Sequence, residues 1–131
     1  MNRIKSILIG FIASATLAAC ASMSGGAMAP YTKVNDGILV GSNNMTLYTF
    51  AKDVSGSGKS ACNGPCAANW PPLLVDGNTV VSGNYSVITR DDGKKQLAFK
   101  GMPLYFWVKD TKPGEKTGDG FLNGAWHIVK M

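Results

Sequence analysis

A nine-residue segment occurs twice in this chain of 131 residues, so the fold has to accommodate the same unit twice. The first copy, residues 45–53, reads MTLYTFAKD, and the second copy, residues 102–110, reads MPLYFWVKD. The copies share Met, Leu, Tyr, Lys and Asp, and Phe50 aligns with Trp107. A tryptophan follows each copy at a similar distance, Trp70 after the first and Trp126 after the second. The chain therefore contains two similar units, at about residues 36–75 and 85–131.

Both units show the pattern of β-hairpins, in which short apolar runs flank turn residues. Beyond the N-terminal segment, no stretch keeps a helical apolar period over several turns. The sequence therefore predicts an all-β fold: a small single domain, residues 31–131, of two pseudo-symmetric β-hairpin repeats. A signal peptide and a flexible tether precede it. The predicted strands are residues 38–40 and 45–51 in the first unit, and residues 85–89, 96–99, 103–108 and 125–129 in the second.

The alternation of side chains along residues 102–108 predicts which face of this strand is buried. Tyr105 and Trp107 lie on one face, and Tyr48 and Phe50 lie on the equivalent face of the first unit. Either a second layer covers these aromatic rings or the rings line an exposed groove. The opposite face is wholly apolar and is expected to pack in the core; its residues are Met102, Leu104, Phe106 and Val108.

The first nineteen residues have the features of a secretory signal peptide. Arg3 and Lys5 precede an uncharged apolar run, residues 7–19, which is shorter than the roughly 20 residues of a transmembrane helix. Two cleavage sites compete. Residues 27–29 have the A-x-A form, but Pro30 follows them and hinders cleavage. Residues 17–20, Leu-Ala-Ala-Cys, resemble a bacterial lipobox at the end of the apolar run, which favours cleavage before Cys20.

The lipobox resemblance implies that Cys20 becomes the N-terminal residue and carries acyl chains, with residues 20–30 as a lipidated flexible tether. Several chains anchor a protein stably where one does not, since each buried methylene contributes about 0.8 kcal/mol. Ala21, where an aspartate would mean inner-membrane retention, indicates the outer membrane of a two-membrane cell, or the outer face of a one-membrane cell. Without Arg3 and Lys5 the net charge is 11 − 8 = +3, which calls for no nucleic-acid partner. The expected partners are the membrane and an unknown envelope ligand or protein.

Cys62 and Cys66 are the cysteines that remain, and they enclose the turn-forming residues Asn-Gly-Pro. Such a turn can bring two cysteines to bridging distance, so we expect a disulfide that fixes local shape. A redox pair, a metal site and free thiols are the alternatives. The redox motif has two intervening residues rather than three, and metal or haem binding lacks a nearby histidine, since His127 is distant.

The repeated acids and rings are the candidate site residues. An aspartate at the end of a strand can accept backbone N–H groups two residues on and pin a turn. Alternatively, the two carboxylates meet across the two repeats to bind a cation or to perform acid–base chemistry. The rings either pack between the repeats or form a ligand platform. The candidate ligand surface comprises Tyr48, Phe50, Asp53, Tyr105, Trp107 and Asp110.

Catalytic motifs are absent from the sequence. It has neither a Gly-x-Ser-x-Gly elbow nor a glycine-rich phosphate loop. His127 is the single histidine, and nothing marks a nucleophile with its base. The sequence therefore indicates a protein that is not an enzyme and has no cofactor or metal. A small hydrolase using Asp53 and Asp110 is a weaker alternative.

The doubled Tyr-x-(Phe/Trp)-x-x-Asp motif, the lipobox, and the cysteine pair before Trp-Pro-Pro together resemble a bacterial predicted-lipoprotein family, a secreted repeat of unknown function. The resemblance covers residues 34–129. The second unit departs from the first, because it has no cysteine pair and has Trp126-His127 where the first has Trp70-Pro71. The family implies no reaction. We expect a lipid-anchored envelope lipoprotein with a non-enzymatic binding or structural domain; the alternative is a periplasmic redox or metal/haem-handling protein.

Overall fold

The computed structural model describes residues 31–131, so the predicted signal peptide, the tether and Cys20 lie outside the described residues. The described part is mostly β and contains seven short strands and two short helices. Neither helix within residues 31–131 has the length and hydropathy of a membrane span. In chain order the elements are β1 Thr32–Asn35, β2 Ile38–Gly41, β3 Tyr48–Phe50, α1 Pro65–Asn69, β4 Tyr85–Thr89, β5 Lys95–Phe99, β6 Met102–Pro103, α2 Phe121–Gly124 and β7 Trp126–Ile128.

Strand β1, which the sequence analysis did not predict, forms an antiparallel hairpin with β2. Asp36 and Gly37 connect the two strands, and both have positive φ angles, 59° and 76°. Two consecutive residues of this kind form the tight turn that suits the twist of paired strands, and Asp-Gly is one of its preferred sequences. The Asp-Gly pair was therefore the sequence signal for this hairpin.

Strand β3 of the first repeat pairs with β7 of the second, with Phe50 opposite Trp126. The predicted hairpin between residues 38–40 and 45–51 is reduced to one bridge, between Val40 and Thr46. The chain turns back as expected at residues 41–44, where Gly41 N–H donates to Met45 O at 2.8 Å. The hairpin ends early because the following residues pair with the second repeat instead.

The third sheet, β4–β5–β6, confirms the two predicted hairpins of the second repeat. Strands β5 and β6 are connected by Lys100 and Gly101, whose φ angles are 53° and 81°. Strand β6 ends at Pro103, whereas the sequence predicted a strand to residue 108. Leu104 N–H still donates to Leu97 O of β5 at 3.0 Å; the chain then leaves β5, and Tyr105 N–H donates to Tyr48 O at 3.0 Å.

The predicted alternation is confirmed for residues 104–107, because this segment passes between two cores: Leu104 and Phe106 pack on one side, and Tyr105 and Trp107 pack on the other. Leu104 and Tyr105 are therefore both fully buried although they are consecutive, whereas the expectation that Val108 packs in the core is wrong, since its side chain is 50% exposed. Leu104 packs in an aliphatic core, whose buried residues are Leu39, Leu47, Leu73, Leu97, Phe99 and Leu104. Tyr105 packs in an aromatic core, whose buried residues are Tyr48, Phe50, Cys62, Trp70, Tyr105, Trp107 and Trp126.

Candidate functional site

The repeated tyrosines and aspartates form hydrogen bonds that cross between the repeats. The Tyr48 hydroxyl donates to Asp110 Oδ2 at 2.5 Å, and the Tyr105 hydroxyl donates to Asp53 Oδ2 at 2.7 Å. The backbones of the two tyrosines also pair, with N···O distances of 2.8 and 3.0 Å. Each tyrosine therefore binds the aspartate of the other repeat, and the two copies of the motif hold each other.

The second oxygen of each aspartate holds the loop that follows its own repeat segment. Asp53 Oδ1 accepts the Ala61 N–H at 2.6 Å, and Asp110 Oδ1 accepts the Thr117 N–H at 2.9 Å. The aspartates thus fix loops as expected, but through N–H groups eight and seven residues on, not two. Both oxygens of each buried carboxylate are engaged in the frame of the fold.

Burial raises the pKa of both tyrosine hydroxyls and of the Asp53 carboxyl. It raises the pKa of the Tyr48 hydroxyl, and the hydrogen bond to Asp110 raises it further. Burial likewise raises the pKa of the Tyr105 hydroxyl, which keeps both hydroxyls neutral and able to donate. Burial also raises the pKa of the Asp53 carboxyl, against the opposing effect of the hydrogen bonds from Ala61 and Tyr105.

Arg90 and Ser60 support this network, and the sequence analysis did not identify them. Arg90 is 3% exposed, and its guanidinium donates to Ser60 Oγ at 3.0 Å and to Cys62 O at 2.5 Å. Ser60 Oγ in turn lies 2.6 Å from the Tyr105 hydroxyl. Neither Arg90 nor Ser60 belongs to the repeated nine-residue segment, so the sequence pattern did not identify them.

Four aromatic rings form a continuous stack that we call the ring column: Phe50, Trp126, Trp70 and Trp107. The neighbouring centroids along it are 4.1, 3.8 and 3.9 Å apart. The rings come alternately from the first and second repeats. The two central indoles, Trp126 and Trp70, are nearly parallel, with an interplanar angle of 1°. Since Phe50 corresponds to Trp107 and Trp70 to Trp126, exchanging the repeats leaves the order unchanged.

The two tyrosine rings pack against the side of the ring column, each on one of the two central tryptophans. Tyr48 meets Trp70 edge-on at 5.3 Å, and Tyr105 meets Trp126 edge-on at 5.1 Å. Such edge contacts match the negative ring face with the positive ring edge. Each tyrosine thus packs on the tryptophan of its own repeat while its hydroxyl bonds to the other repeat.

The candidate ligand surface is therefore not an exposed groove. Its rings are covered by the opposite repeat, and its carboxylates are engaged within the fold; all six residues are at most 7% exposed: Tyr48, Phe50, Asp53, Tyr105, Trp107 and Asp110. The rings instead pack between the two repeats, which was the other arrangement expected from the sequence. Phe50 and Trp107 still reach the wall of a pocket.

This pocket, which we call the column pocket, opens beside the ring column and has a volume of about 340 Å³. Its volume lies in the lower range of small-molecule sites, and rings form most of its wall, as is usual for such sites. Lys109 is the only charged residue in the lining, which consists of Phe50, Cys66, Asn69, Trp70, Trp107, Lys109, Phe121, Leu122 and Trp126.

Helix α2 forms one rim of the column pocket in a strained conformation. Leu122 and Asn123 both have left-handed backbone angles, with φ of 58° and 57°. A bulky residue such as leucine rarely adopts this conformation, which costs of the order of 1–3 kcal/mol. Despite this cost, the turn leaves Phe121 42% and Leu122 62% exposed. Backbone strain of this kind is often found at ligand sites.

The disulfide Cys62–Cys66 confirms the predicted pairing, with the Cα atoms 5.2 Å apart. Cys62 is buried, whereas Cys66 lines the column pocket. Helix α1 begins within this loop at Pro65, whose fixed φ suits a first helical position. Trp70 N–H donates to Cys66 O at 2.8 Å, so the disulfide loop places the indole of Trp70 in the column.

Metal ligands do not cluster in the described part of the chain. Within residues 31–131, no three His, Cys, Asp or Glu side chains come together in an arrangement that could hold a metal ion.

Two segments of the chain match a family model described as a secreted repeat of unknown function, at residues 32–74 and 86–130. Each segment contains one copy of the motif, so the match confirms both the resemblance and the duplication. No curated protein and no solved structure matches the chain.

Proposed function

Since the chain belongs to the Lipoprotein_15 family, a secreted repeat of unknown function, we propose that it is a lipid-anchored envelope lipoprotein with a non-enzymatic binding domain. Cys20 at the end of the apolar run supports the anchor, and Ala21 supports sorting to an outer membrane. The column pocket is the binding site. The crossed tyrosines and aspartates provide its frame.

The observation that carries the binding proposal is the strained rim of the column pocket. A turn that served only to lead the chain into β7 could avoid the strain by having glycine at residue 122, as it does at Gly120 and Gly124. A leucine at this position instead adds apolar surface to the pocket wall. A cost in stability at a position that lines a pocket supports a role in binding.

The arrangement of the acids supports a non-enzymatic role. A general acid or base must reach a substrate proton directly or through one water molecule. Asp53 and Asp110 each use one oxygen for a tyrosine of the other repeat and one for a loop N–H. Neither aspartate lines the column pocket.

The binding proposal is tested with Leu122→Gly, with Asn123→Gly as the matched control. Both substitutions relax a left-handed residue, but only Leu122 lines the column pocket. The three tryptophans give three indole N–H signals in a ¹H–¹⁵N spectrum, and we expect 2-naphthylmethanol to shift them. The shifts should persist in Asn123→Gly and weaken severalfold in Leu122→Gly, although that variant is at least as stable as the wild type. Equal binding by both variants, or no shift in the wild type, contradicts the proposal.

The anchor is tested with Cys20→Ser in the native host. The wild-type protein should sediment with membranes and carry the mass of acyl chains on Cys20. The variant should lose that mass and leave the membrane fraction. A mature protein that begins at Pro30 would instead show cleavage after the A-x-A sequence and overturn the anchor.

The redox or metal/haem-handling alternative stays a prediction with its own test. Thiol titration and metal analysis of the purified mature protein decide it. A disulfide that exchanges readily with a thiol reagent, or a stoichiometric metal, would favour this alternative over the binding domain.

A further inference from the structure

The three indole N–H groups of the ring column have no acceptor among residues 31–131. Trp70, Trp107 and Trp126 are at most 6% exposed, and none of them donates a side-chain hydrogen bond to another described residue. Buried indole N–H groups usually find a partner, and an unsatisfied one needs an explanation. All three tryptophans line the column pocket, so an occupant of that pocket would contact the residues that carry these N–H groups.

Lys109 adds a positive charge to these donors. It is exposed and forms no ion pair with another residue of the described chain. An indole N–H and an ammonium group both donate hydrogen bonds and accept none. With no carboxylate in the lining, the column pocket favours an occupant with negatively charged oxygen acceptors.

The other residues of the pocket wall favour a ligand whose uncharged part is apolar. Phe50, Phe121 and Leu122 present rings and an aliphatic side chain, which favour an apolar body. The volume of about 340 Å³ suits a small planar ring system. Ring edges at the wall attract the negative face of an aromatic molecule.

We infer that the column pocket binds a small planar aromatic anion, with its carboxylate or sulfonate oxygens accepting from indole N–H groups and Lys109. This inference rests on the proposed function and specifies its ligand class. Lys109 is the residue that distinguishes an anion from a neutral molecule of the same shape.

The test uses the mature lipidated protein in nanodiscs and three probes of one shape: 2-naphthoate, 2-naphthamide and 2-naphthylmethylammonium. We expect naphthoate to bind most tightly and to shift at least one indole N–H proton signal downfield, as a new hydrogen bond does. The amide should bind more weakly, and the ammonium should bind most weakly.

Lys109→Gln should weaken naphthoate binding about fivefold, the order of one exposed ion pair, and leave naphthamide binding unchanged. Lys52→Gln is the matched control, because Lys52 holds the equivalent place in the first repeat and does not line the column pocket. It should change neither affinity.

The outcomes separate this inference from the proposed function. If the amide or the ammonium binds as tightly as naphthoate, or if Lys109→Gln weakens all probes equally, the ligand class is wrong and the binding domain stands. If none of the probes, 2-naphthylmethanol included, shifts an indole signal, both fail.

Discussion

Tyr48 and Tyr105 each connect the repeats through one hydroxyl, and their partners Asp110 and Asp53 are buried. A hydrogen bond to a charged group contributes about 1.5–3 kcal/mol, more than a bond between neutral groups. The tyrosine and the aspartate of one copy of the motif therefore do not bond to each other. Each of them forms its hydrogen bond with the other copy.

We predict that Tyr48→Phe lowers the free energy of unfolding by about 1.5–3 kcal/mol, because Asp110 loses a buried donor. Tyr85→Phe is the control, since the half-buried Tyr85 hydroxyl shares a bond with the neutral Thr32 hydroxyl and should cost about 1 kcal/mol or less. Urea denaturation measures both. Equal losses in the two variants would contradict a special role for the crossed bonds.

The same tyrosines predict an alkaline loss of stability. A hydroxyl whose pKa is raised on folding stabilises the fold below its unfolded pKa of 10.0, and this contribution is lost as the pH rises through the folded pKa. Above pH 10, each tyrosine should therefore lower the free energy of unfolding by about 1.4 kcal/mol per pH unit. Tyr48→Phe and Tyr105→Phe should each remove that amount from the slope of wild-type stability against pH. An unchanged slope would refute the assignment.

At the scale of elements, the short strands and helices depend on what packs around them. Strand β3 is three residues long, and α2 includes left-handed residues, so neither has a strong local preference. The ring column joins β3 to β7, because β3 carries Phe50, β7 carries Trp126, and these two rings stack. The loop before α2 comes so close to the column that one residue has no room for a side chain.

We predict that Gly118→Ala destabilises the fold by about 1–3 kcal/mol. An added Cβ would lie 2.6 Å from Trp70 Cη2 and 3.1 Å from Trp107 Cδ1, and the stacked rings cannot move aside. Gly77→Ala is the control, since its Cβ would meet nothing within 4 Å and should change stability by less than about 0.5 kcal/mol. Thermal unfolding measures both; a neutral Gly118→Ala would mean that the column is loosely packed.

The hairpins of the second repeat were predictable because their signals are local: alternating residues on either side of Lys100-Gly101. The course of residues 105–108 was not, since after Leu104 the backbone pairs with Tyr48, which is distant in sequence, instead of with β5. For the candidate site, the duplication identified rings and acids that bond and pack between the repeats, although only Phe50 and Trp107 among them line the column pocket. Whether they were covered depended on the other repeat, which no local pattern reports.

At the scale of the whole molecule, the repeats share both cores. Leu47 and Leu104 are equivalent positions, and both lie in the aliphatic core, while Tyr48 and Tyr105 both lie in the aromatic core. Stacking of repeats commonly buries a surface that one repeat cannot bury alone. Here the two repeats also exchange their rings and hydrogen bonds.

We predict that residues 31–80 and residues 81–131 do not fold when produced separately. Each segment keeps only alternate rings of the column and leaves its aspartate without the tyrosine donor. Amide spectra of either segment alone should show the narrow dispersion of an unfolded chain, and residues 31–131 together serve as the folded control. A well-dispersed spectrum from a single segment would contradict the shared core.

The unchanged order of the ring column under exchange of the repeats has a consequence for how such a protein could arise. Two identical short polypeptides could assemble around such a stack of rings, with the tyrosine hydroxyl of each donating to the aspartate of the other. Joining them end to end replaces an encounter between molecules by a high effective concentration within one chain. After fusion, the two halves can diverge at residues outside the shared core, as the first half has done by acquiring a cysteine pair. Residues in the shared core can change only in ways that both halves tolerate.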